Sequence, residues 1–361
     1  MEKLISFARP FIFQPLRLGR ANPLHQRSKF FLSFGDAFLF LLKHCQIADK
    51  KETALVPGYY CPETLKVIAR HFKLSFYEIN NDFSLNKESY FSQLEKFKPR
   101  LLINYCFTGF SLSPEEKNRL AGLMSEQMII IEDYAHRLID FSDWQPLNKN
   151  HFIIDSIRKN SPFLGSHLIG GDFVRTQAAN FNWYKLKCQL FQLLKDFLIS
   201  GAVLFNSSWL YDLSEKTFFA QNEIIGNYFE PTKGDLLSFA AYNFLNTSKL
   251  KKHCHRLSLA YQAELKRLSS PLIRILSDQA MANSELAYYP IFVDQEVQAD
   301  LAEYLRSRKI YVERLWDQDN EFNNQPDSGL YQSFLIIPLT YVLTEADAKR
   351  AAKEINNFIK K

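Results

Sequence analysis

The sequence lacks most of the features that would mark a secreted, membrane-spanning or nucleic-acid-binding chain. Its five cysteines (Cys45, Cys61, Cys106, Cys188 and Cys254) are dispersed, with no C-x-x-C pair. An odd, scattered set argues for free thiols in a reducing compartment rather than a disulfide framework. The start, M-E-K-L-I-S-F-A-R-P, has no long apolar core and no small-residue cleavage site, which predicts no signal peptide. The most apolar stretches, residues 30–42 and 190–204, are broken by Asp36 and by Lys195-Asp196. Neither reaches about 20 uninterrupted apolar residues, which predicts no membrane span. The formal net charge is only +5 over 361 residues, and basic residues gather only in the N-terminal arm and in 249–256. The dense basic stripe of a nucleic-acid-binding protein is missing. There is no G-x-S-x-G, no P-loop, no G-x-G-x-x-G and no internal repeat. His253-Cys254-His255 has metal-ligand residue types, but neighbours on a helix point to different sides, so no metal site is expected. These absences leave a soluble, cytoplasmic globular protein as the expectation.

What the chain does have is bulk and alternation. At 361 residues it fits two domains, or one large domain with an appendage. A hydrophobic content of 47%, with 32 phenylalanines, suffices for a bulky core without staples. Residues 1–28 form a Pro/Arg-containing arm without periodicity, suited to wrap a neighbouring subunit or to pack on the second domain. From Gly35 a buried helix is expected. Unbroken apolar runs then predict strands at 53–57, 74–79, 100–105, 128–132, 151–156 and 168–174. Helices are expected between them, from Pro62, over 89–97, and from a Ser113 cap with Pro114 in the first turn to about Gln127. Fully apolar strands separated by helices imply a largely parallel sheet covered on both faces. Ligands sit beyond the carboxyl ends of such strands, where Tyr105, Asp133 and Ser156 fall. After Arg175 the pattern changes. One long helical stretch is expected over 180–213, and further helices over 235–245 and 250–268. Strands at 285–294, 309–313 and 333–337 and helices at 296–308 and from Thr344 onward then complete a compact unit. The domain expectation is an arm (1–28), a large α/β domain (29–247) and a small C-terminal α+β domain (248–361).

The chemistry concentrates in 128–171. A strand ends in Glu132-Asp133, with His136 three residues on. The next strand ends in Ser156-Ile157-Arg158-Lys159, and the one after carries Gly170-Gly171. Taken singly, Asp133 reads as a turn cap, Ser156 as a turn serine and Lys159 as a surface lysine. Their joint order points to a site for a phosphorylated cofactor with a ring nitrogen.

The segment resembles the core of fold-type I enzymes that use pyridoxal 5′-phosphate (PLP). It is most similar to the DegT/DnrJ/EryC1/StrS aminotransferase family, whose E-D-x-A-H motif matches Glu132-Asp133-Tyr134-Ala135-His136. Ser156-Ile157-Arg158-Lys159 with Gly170-Gly171 matches one branch of that family, and 56–63, 309–316 and 335–347 are similar to further segments in the same order. The resemblance implies an aspartate aminotransferase-like large domain with a mainly parallel sheet and a small α+β domain. It further implies Lys159 as the residue that holds the cofactor covalently and moves the substrate proton. Asp133 would lie at the ring nitrogen and His136 near the phenolic oxygen. Ser156, Arg158 and the helix start at Gly35-Asp36 would lie at the phosphate, and Tyr60 or Tyr59 over the ring, because the usual aromatic position falls at Cys61.

The family usually has Thr, Ser or Arg after the glycine where this chain has Asp36. An acid suits a helix start but repels phosphate. Either Asp36 turns away, with Ser33 or Arg158 taking over, or the cofactor is held weakly. Asn227 is the candidate for an asparagine that relatives supply from a partner subunit. The reading implied is amino transfer from an amino acid to a keto-sugar, nucleotide-linked, in surface polysaccharide or amino-sugar biosynthesis, by a homodimer. The alternatives are a non-catalytic binding or scaffold subunit of the same fold, or a PLP enzyme of different reaction outcome.

Overall fold

The computed structural model describes residues 2–14, 16, 28–47, 52–105, 112–137, 144–159, 161–170, 183–226, 231–267, 270–278, 281, 286–316, 322, 325–326 and 333–360. A seven-stranded sheet organises the larger part. Its strands are β1 (Ser28–Phe31), β2 (Thr53–Pro57), β3 (Lys73–Tyr77), β4 (Leu101–Tyr105), β5 (Ile129–Tyr134), β6 (His151–Asp155) and β7 (Ser166–Ile169). The spatial order is β1-β7-β6-β5-β4-β2-β3. β3, β2, β4, β5 and β6 run parallel, and β7 is antiparallel to both β6 and β1. The parallel strands are apolar along their length because helices cover both faces. Leu55, Leu102 and Ile130 face one core cluster, and Ala54, Val56, Leu101, Ile103, Ile129 and Ile131 face the other.

The covering helices are α1 (Phe34–His44), α2 (Pro62–Ala69), α3 (Lys87–Phe97) and α4 (Pro114–Leu123). The α4 start is a full capping box. Ser113 Oγ accepts from the Glu116 N–H at 3.3 Å, and the Ser113 N–H donates to Glu116 Oε2 at 2.7 Å.

The helical stretch after Arg175 departs from expectation. It is two helices, α5 (Trp183–Phe205) and α6 (Ser208–Gly226), packed as a hairpin. The chain reverses at Asn206, whose φ of 51° is a left-handed conformation that ends a helix. Asparagine tolerates it, which the apolar period alone did not reveal. The stretch Leu186–Phe205 is long and apolar enough by composition to cross a membrane, with a mean hydropathy of 1.4. Leu193, Phe197, Phe205 and Trp209 are exposed on this hairpin, while Lys195 and Ser214 are buried against the rest of the protein.

The remaining helices are α7 (Leu236–Asn243), α8 (Thr247–Leu265), α9 (Gln295–Ser307) and α10 (Glu345–Ile359). A three-stranded antiparallel sheet pairs β8 (Ile273–Ile275), β9 (Tyr288–Val293) and β10 (Phe334–Pro338) in the order β10-β9-β8. The expected strand over 309–313 is not one. Lys309 has a φ of 58°, and among the described residues 310–313 make single bridges, Ile310 to Ile5 and Glu313 to Ile336, in place of a ladder. The N-terminal arm occupies that place. The Ile5 N–H donates to the Lys309 carbonyl at 2.9 Å, and the Tyr311 N–H to the Ile5 carbonyl at 2.8 Å. Lys3 pairs with Asp347 at 2.6 Å, and the Tyr341 hydroxyl donates to the Pro10 carbonyl. Residues 2–10 therefore pack on the C-terminal part of their own chain.

Gly170, just beyond β7, has a φ of +119°. A Cβ there would lie 2.6 Å from the His151 carbonyl oxygen. The Gly170→Ala protein is expected to lose about 1–3 kcal/mol from backbone strain alone, and more from the clash. Urea denaturation checks this, and an unchanged midpoint would contradict it.

Candidate active site

Asp133 sits at the carboxyl end of β5, in register with Tyr105 of β4 and Ile154 of β6. Its neighbour Glu132 is held by a polar network on the same strand end. Glu132 Oε1 accepts from Asn104 Nδ2 at 3.1 Å and lies 3.0 Å from His151 Nε2. His151 Nδ1 accepts from the Leu147 N–H at 3.0 Å, so Nε2 carries the proton and donates to Glu132. Tyr90 donates to Asn104 Oδ1 at 2.6 Å, which locks the far side. The strand end is thus fixed before Asp133 is placed.

The Asp133 carboxylate is buried, at 6% exposure. The Tyr60 hydroxyl, from the turn between β2 and α2, donates to Oδ2, and the Ala135 N–H donates to Oδ1 at 2.8 Å. Burial pushes its pKa up to about 6, against the opposing pull of these two bonds and of the Lys159 charge. Among the described residues Asp133 has no ion-pair partner. A buried carboxylate of this kind is costly unless a cation reaches it.

Lys159 ends the single 3₁₀ turn Ile157–Lys159 that follows β6. Burial, together with the positive charges of Arg158 and Arg9, pulls its amine down to about 8, while Cys61 and Glu313 resist. His136 is buried, with its ring 5.2 Å edge-on from Trp316 and 5.6 Å from Tyr288. Its pKa falls well below the ordinary value through burial, with Lys159 and Arg158 adding to the effect, so the imidazole is neutral. Lys159 is therefore within electrostatic reach of both Asp133 and His136.

The other expected residues are distributed differently. Ser156 is buried beside the turn. The Arg158 guanidinium reaches α6, where it donates to Asn222 Oδ1 and lies 5.5 Å from the Phe218 ring. Gly35 and Asp36 open α1, and Asp36 is turned to its own surroundings. Its Oδ2 accepts from the Ser33 hydroxyl at 2.5 Å and its Oδ1 from the Thr232 N–H at 2.9 Å. Burial raises its pKa to about 6. The Ser33 hydroxyl is likewise committed to Asp36. Cys61 caps α2 without a side-chain bond to it, and burial raises the thiol to about 11, which leaves it unreactive at neutral pH. Asn227 and Gly171 lie outside the described residues.

Lys159 opens onto a cavity whose lining includes Arg9, Arg158, Lys195, Glu215, Tyr288 and Glu313. Burial and the adjacent Glu215 raise Glu313 to about 7. Arg9, Lys195, Glu215 and Glu313 come from the arm, α5, α6 and the 309–316 segment, and no local motif marked them. Lys195 had registered only as an interruption of an apolar run.

The seven-stranded sheet with its appended antiparallel sheet is the architecture of the fold-type I PLP-dependent transferase fold. No protein-family model matches the sequence, and no curated protein matches it at the sequence level. Solved structures do match. A DegT DnrJ EryC1 StrS aminotransferase from Brucella abortus is 16% identical, over 92% of this chain and 86% of that one, with a TM-score of 0.58. Spr1654 from Streptococcus pneumoniae, in its PLP-form, is 14% identical over 99% of both chains, with a TM-score of 0.66. DesI, solved with its TDP-sugar product, is 13% identical over 100% of this chain and 94% of that one, with a TM-score of 0.64. At such identity the likeness establishes the fold: that of the DegT/DnrJ/EryC1/StrS-type sugar aminotransferases.

Proposed function

We propose that this chain is a PLP-dependent aminotransferase that moves an amino group from an amino acid to a nucleotide-linked keto-sugar. The reading includes a homodimer acting in the cytoplasm. The observation that carries it is the pairing of Asp133, a buried carboxylate without a cation, with Lys159, an amine lowered to about 8, in one strand-end site. This donor set fits the cofactor. Asp133 suits a protonated ring nitrogen, and a lysine near neutrality suits an aldehyde.

When bound, the cofactor supplies an aldehyde carbon and an electron-withdrawing ring. The chain does the rest. Asp133 holds the proton on the ring nitrogen, with Tyr60 and Ala135 keeping its carboxylate ionised and aimed. Lys159 Nζ holds the cofactor and then takes and returns the proton at the substrate carbon. Its pKa near 8 lies close to the working pH, where a proton-moving group is most effective. Neutral His136 offers a hydrogen bond without adding charge. Ser156 and the α1 start at Gly35 are the candidates for the phosphate. The Asp36 carboxylate is engaged by Ser33 and Thr232 beside them. Arg158 supplies positive charge near the same turn.

Half-reactions test this reading. Amino-acid donors should bleach the visible band of the PLP-loaded protein, and a nucleotide-linked keto-sugar should restore it. A protein that takes up no PLP would sink the proposal. Tyr60→Phe removes a donor that favours ionised Asp133, so its carboxyl pKa should rise further above about 6. The acid limb of activity should therefore move to higher pH. A pH–rate profile unchanged on its acid side would contradict the role given to Tyr60.

A further inference from the structure

The cavity beside Lys159 gathers several charges, and among the described residues no ion pair closes between them. Arg9 Nη2 is buried and has no hydrogen-bond partner among the described residues. Lys195, only 8% exposed, makes no hydrogen bond or ion pair among them. Both lie against aromatic rings. Arg9 lies 5.7 Å from the Tyr288 ring and Lys195 Nζ 5.3 Å from the Phe218 ring. Arg9 also bonds the Tyr288 side chain, which leaves its Nη2 unused, while the Phe218 ring face steadies Lys195 without taking its N–H donors. Arg9 acts electrostatically on both Lys159 and Lys195, and all three line the same cavity. Glu215 and Glu313 line it as well, and among the described residues neither closes an ion pair with Arg9 or Lys195. Cationic N–H donors left without acceptors in such a cavity are costly in a resting protein, and the cost is offset when an anion arrives.

We infer that Arg9 and Lys195 form a carboxylate subsite, which takes the carboxylate of the amine donor while its amino group faces Lys159. The inference rests on the proposed amino transfer for the donor's identity, but the subsite itself is defined by the cavity. The two cations come from elements that are far apart in sequence, the N-terminal arm and the α5–α6 hairpin. Donor binding thus ties the arm and the hairpin together over the site. Glu215 and Glu313 on the same wall suit a ligand whose carboxylate is accompanied by an ammonium, as in a free amino acid. They disfavour a compact, highly charged anion such as a diphosphate more than a carboxylate, through like-charge repulsion.

The test uses the full-length protein with Lys195→Met, Arg9→Gln and the charge-retaining Lys195→Arg. Succinate binding is measured by calorimetry, with inorganic phosphate as the second probe. Succinate affinity should fall at least about tenfold in Lys195→Met and in Arg9→Gln, the loss of one charge-assisted bond. Lys195→Arg should recover most of it, which shows that a fold defect is not the cause. In the loaded protein the KM for the amino-acid donor should rise similarly, while the KM for the sugar stays unchanged. Succinate affinity indifferent to both residues would overturn the inference. Phosphate binding with the same dependence, in place of succinate, would overturn it equally. The two proposals separate cleanly. If the protein never takes up PLP yet binds succinate through Lys195, amino transfer falls and the subsite stands. If donors bleach the cofactor with an unaltered KM in both variants, the subsite falls and amino transfer stands.

Discussion

The Lys159→Ala protein, given PLP, should show no visible band of a lysine-held cofactor, and its amino-transfer rate should fall by on the order of 10⁴-fold or more. Proton transfer by a positioned side chain accounts for up to about 10⁴-fold, and the lysine also holds the cofactor. Two features of the site make the effect large. The 3₁₀ turn after β6 fixes the Lys159 backbone, whose N–H donates to the Ser156 carbonyl at 3.2 Å. The amine is also already lowered to about 8 by burial and by Arg158. The other lysine of the cavity, Lys195, is lowered to about 8 too, but it stands on α5 against Phe218. It is therefore not expected to substitute. Cofactor capture by the wild-type protein should quicken as pH rises toward 8, because the neutral amine is the nucleophile. Absorbance titration with PLP measures both effects, and a normal band in Lys159→Ala would contradict them.

Asp133→Asn should divide stability from function. In the folded chain the carboxyl pKa is raised from 3.8 to about 6. A raised carboxyl favours the protonated form, so folding is penalised progressively as pH rises from about 4 to about 6, and fully above that. Roughly two pKa units correspond to about 3 kcal/mol. Asparagine sheds this penalty but bonds Tyr60 and Ala135 less well, at a cost of about 1–2 kcal/mol. The cofactor-free variant should therefore melt about 2–4 °C higher than wild type at pH 8, with no such gain at pH 4. Amino transfer should fall roughly 10- to 1000-fold, the share of protonated ring lost when a paired acid is removed. Scanning calorimetry at the two pH values, paired with rate measurements, checks this. A variant less stable than wild type at pH 8 would contradict the assignment of Asp133 as a destabilised carboxylate kept for a ligand.

Much of the sheet was legible because its strands are buried on both faces and read as unbroken apolar runs. Thr53–Pro57, Leu101–Tyr105 and His151–Asp155 lie within a residue of their expected bounds. Helix starts with chemical caps were equally readable. Ser113 and Thr344 both form capping boxes, with Glu116 and Asp347. Boundaries without local chemistry were not readable. The α5–α6 turn depends on Asn206 in a left-handed conformation inside a stretch whose apolar period continues on both sides. The 309–313 segment has a strand composition but finds the arm at Ile5 instead of a ladder. The same divide runs through the site. Asp133, His136 and Lys159 were legible because strand ends bring them together and a motif spaces them. Arg9, Lys195, Glu215 and Glu313 reach the cavity only through tertiary packing, and no spacing in sequence reports that.

The most direct test of the account is chemical trapping. The PLP-treated protein is reduced with borohydride, digested and mapped by mass spectrometry. One pyridoxyl-modified residue, Lys159, is expected, and no modification of the Lys159→Ala protein. A label on Lys195 or another lysine, or no label at all, would contradict it.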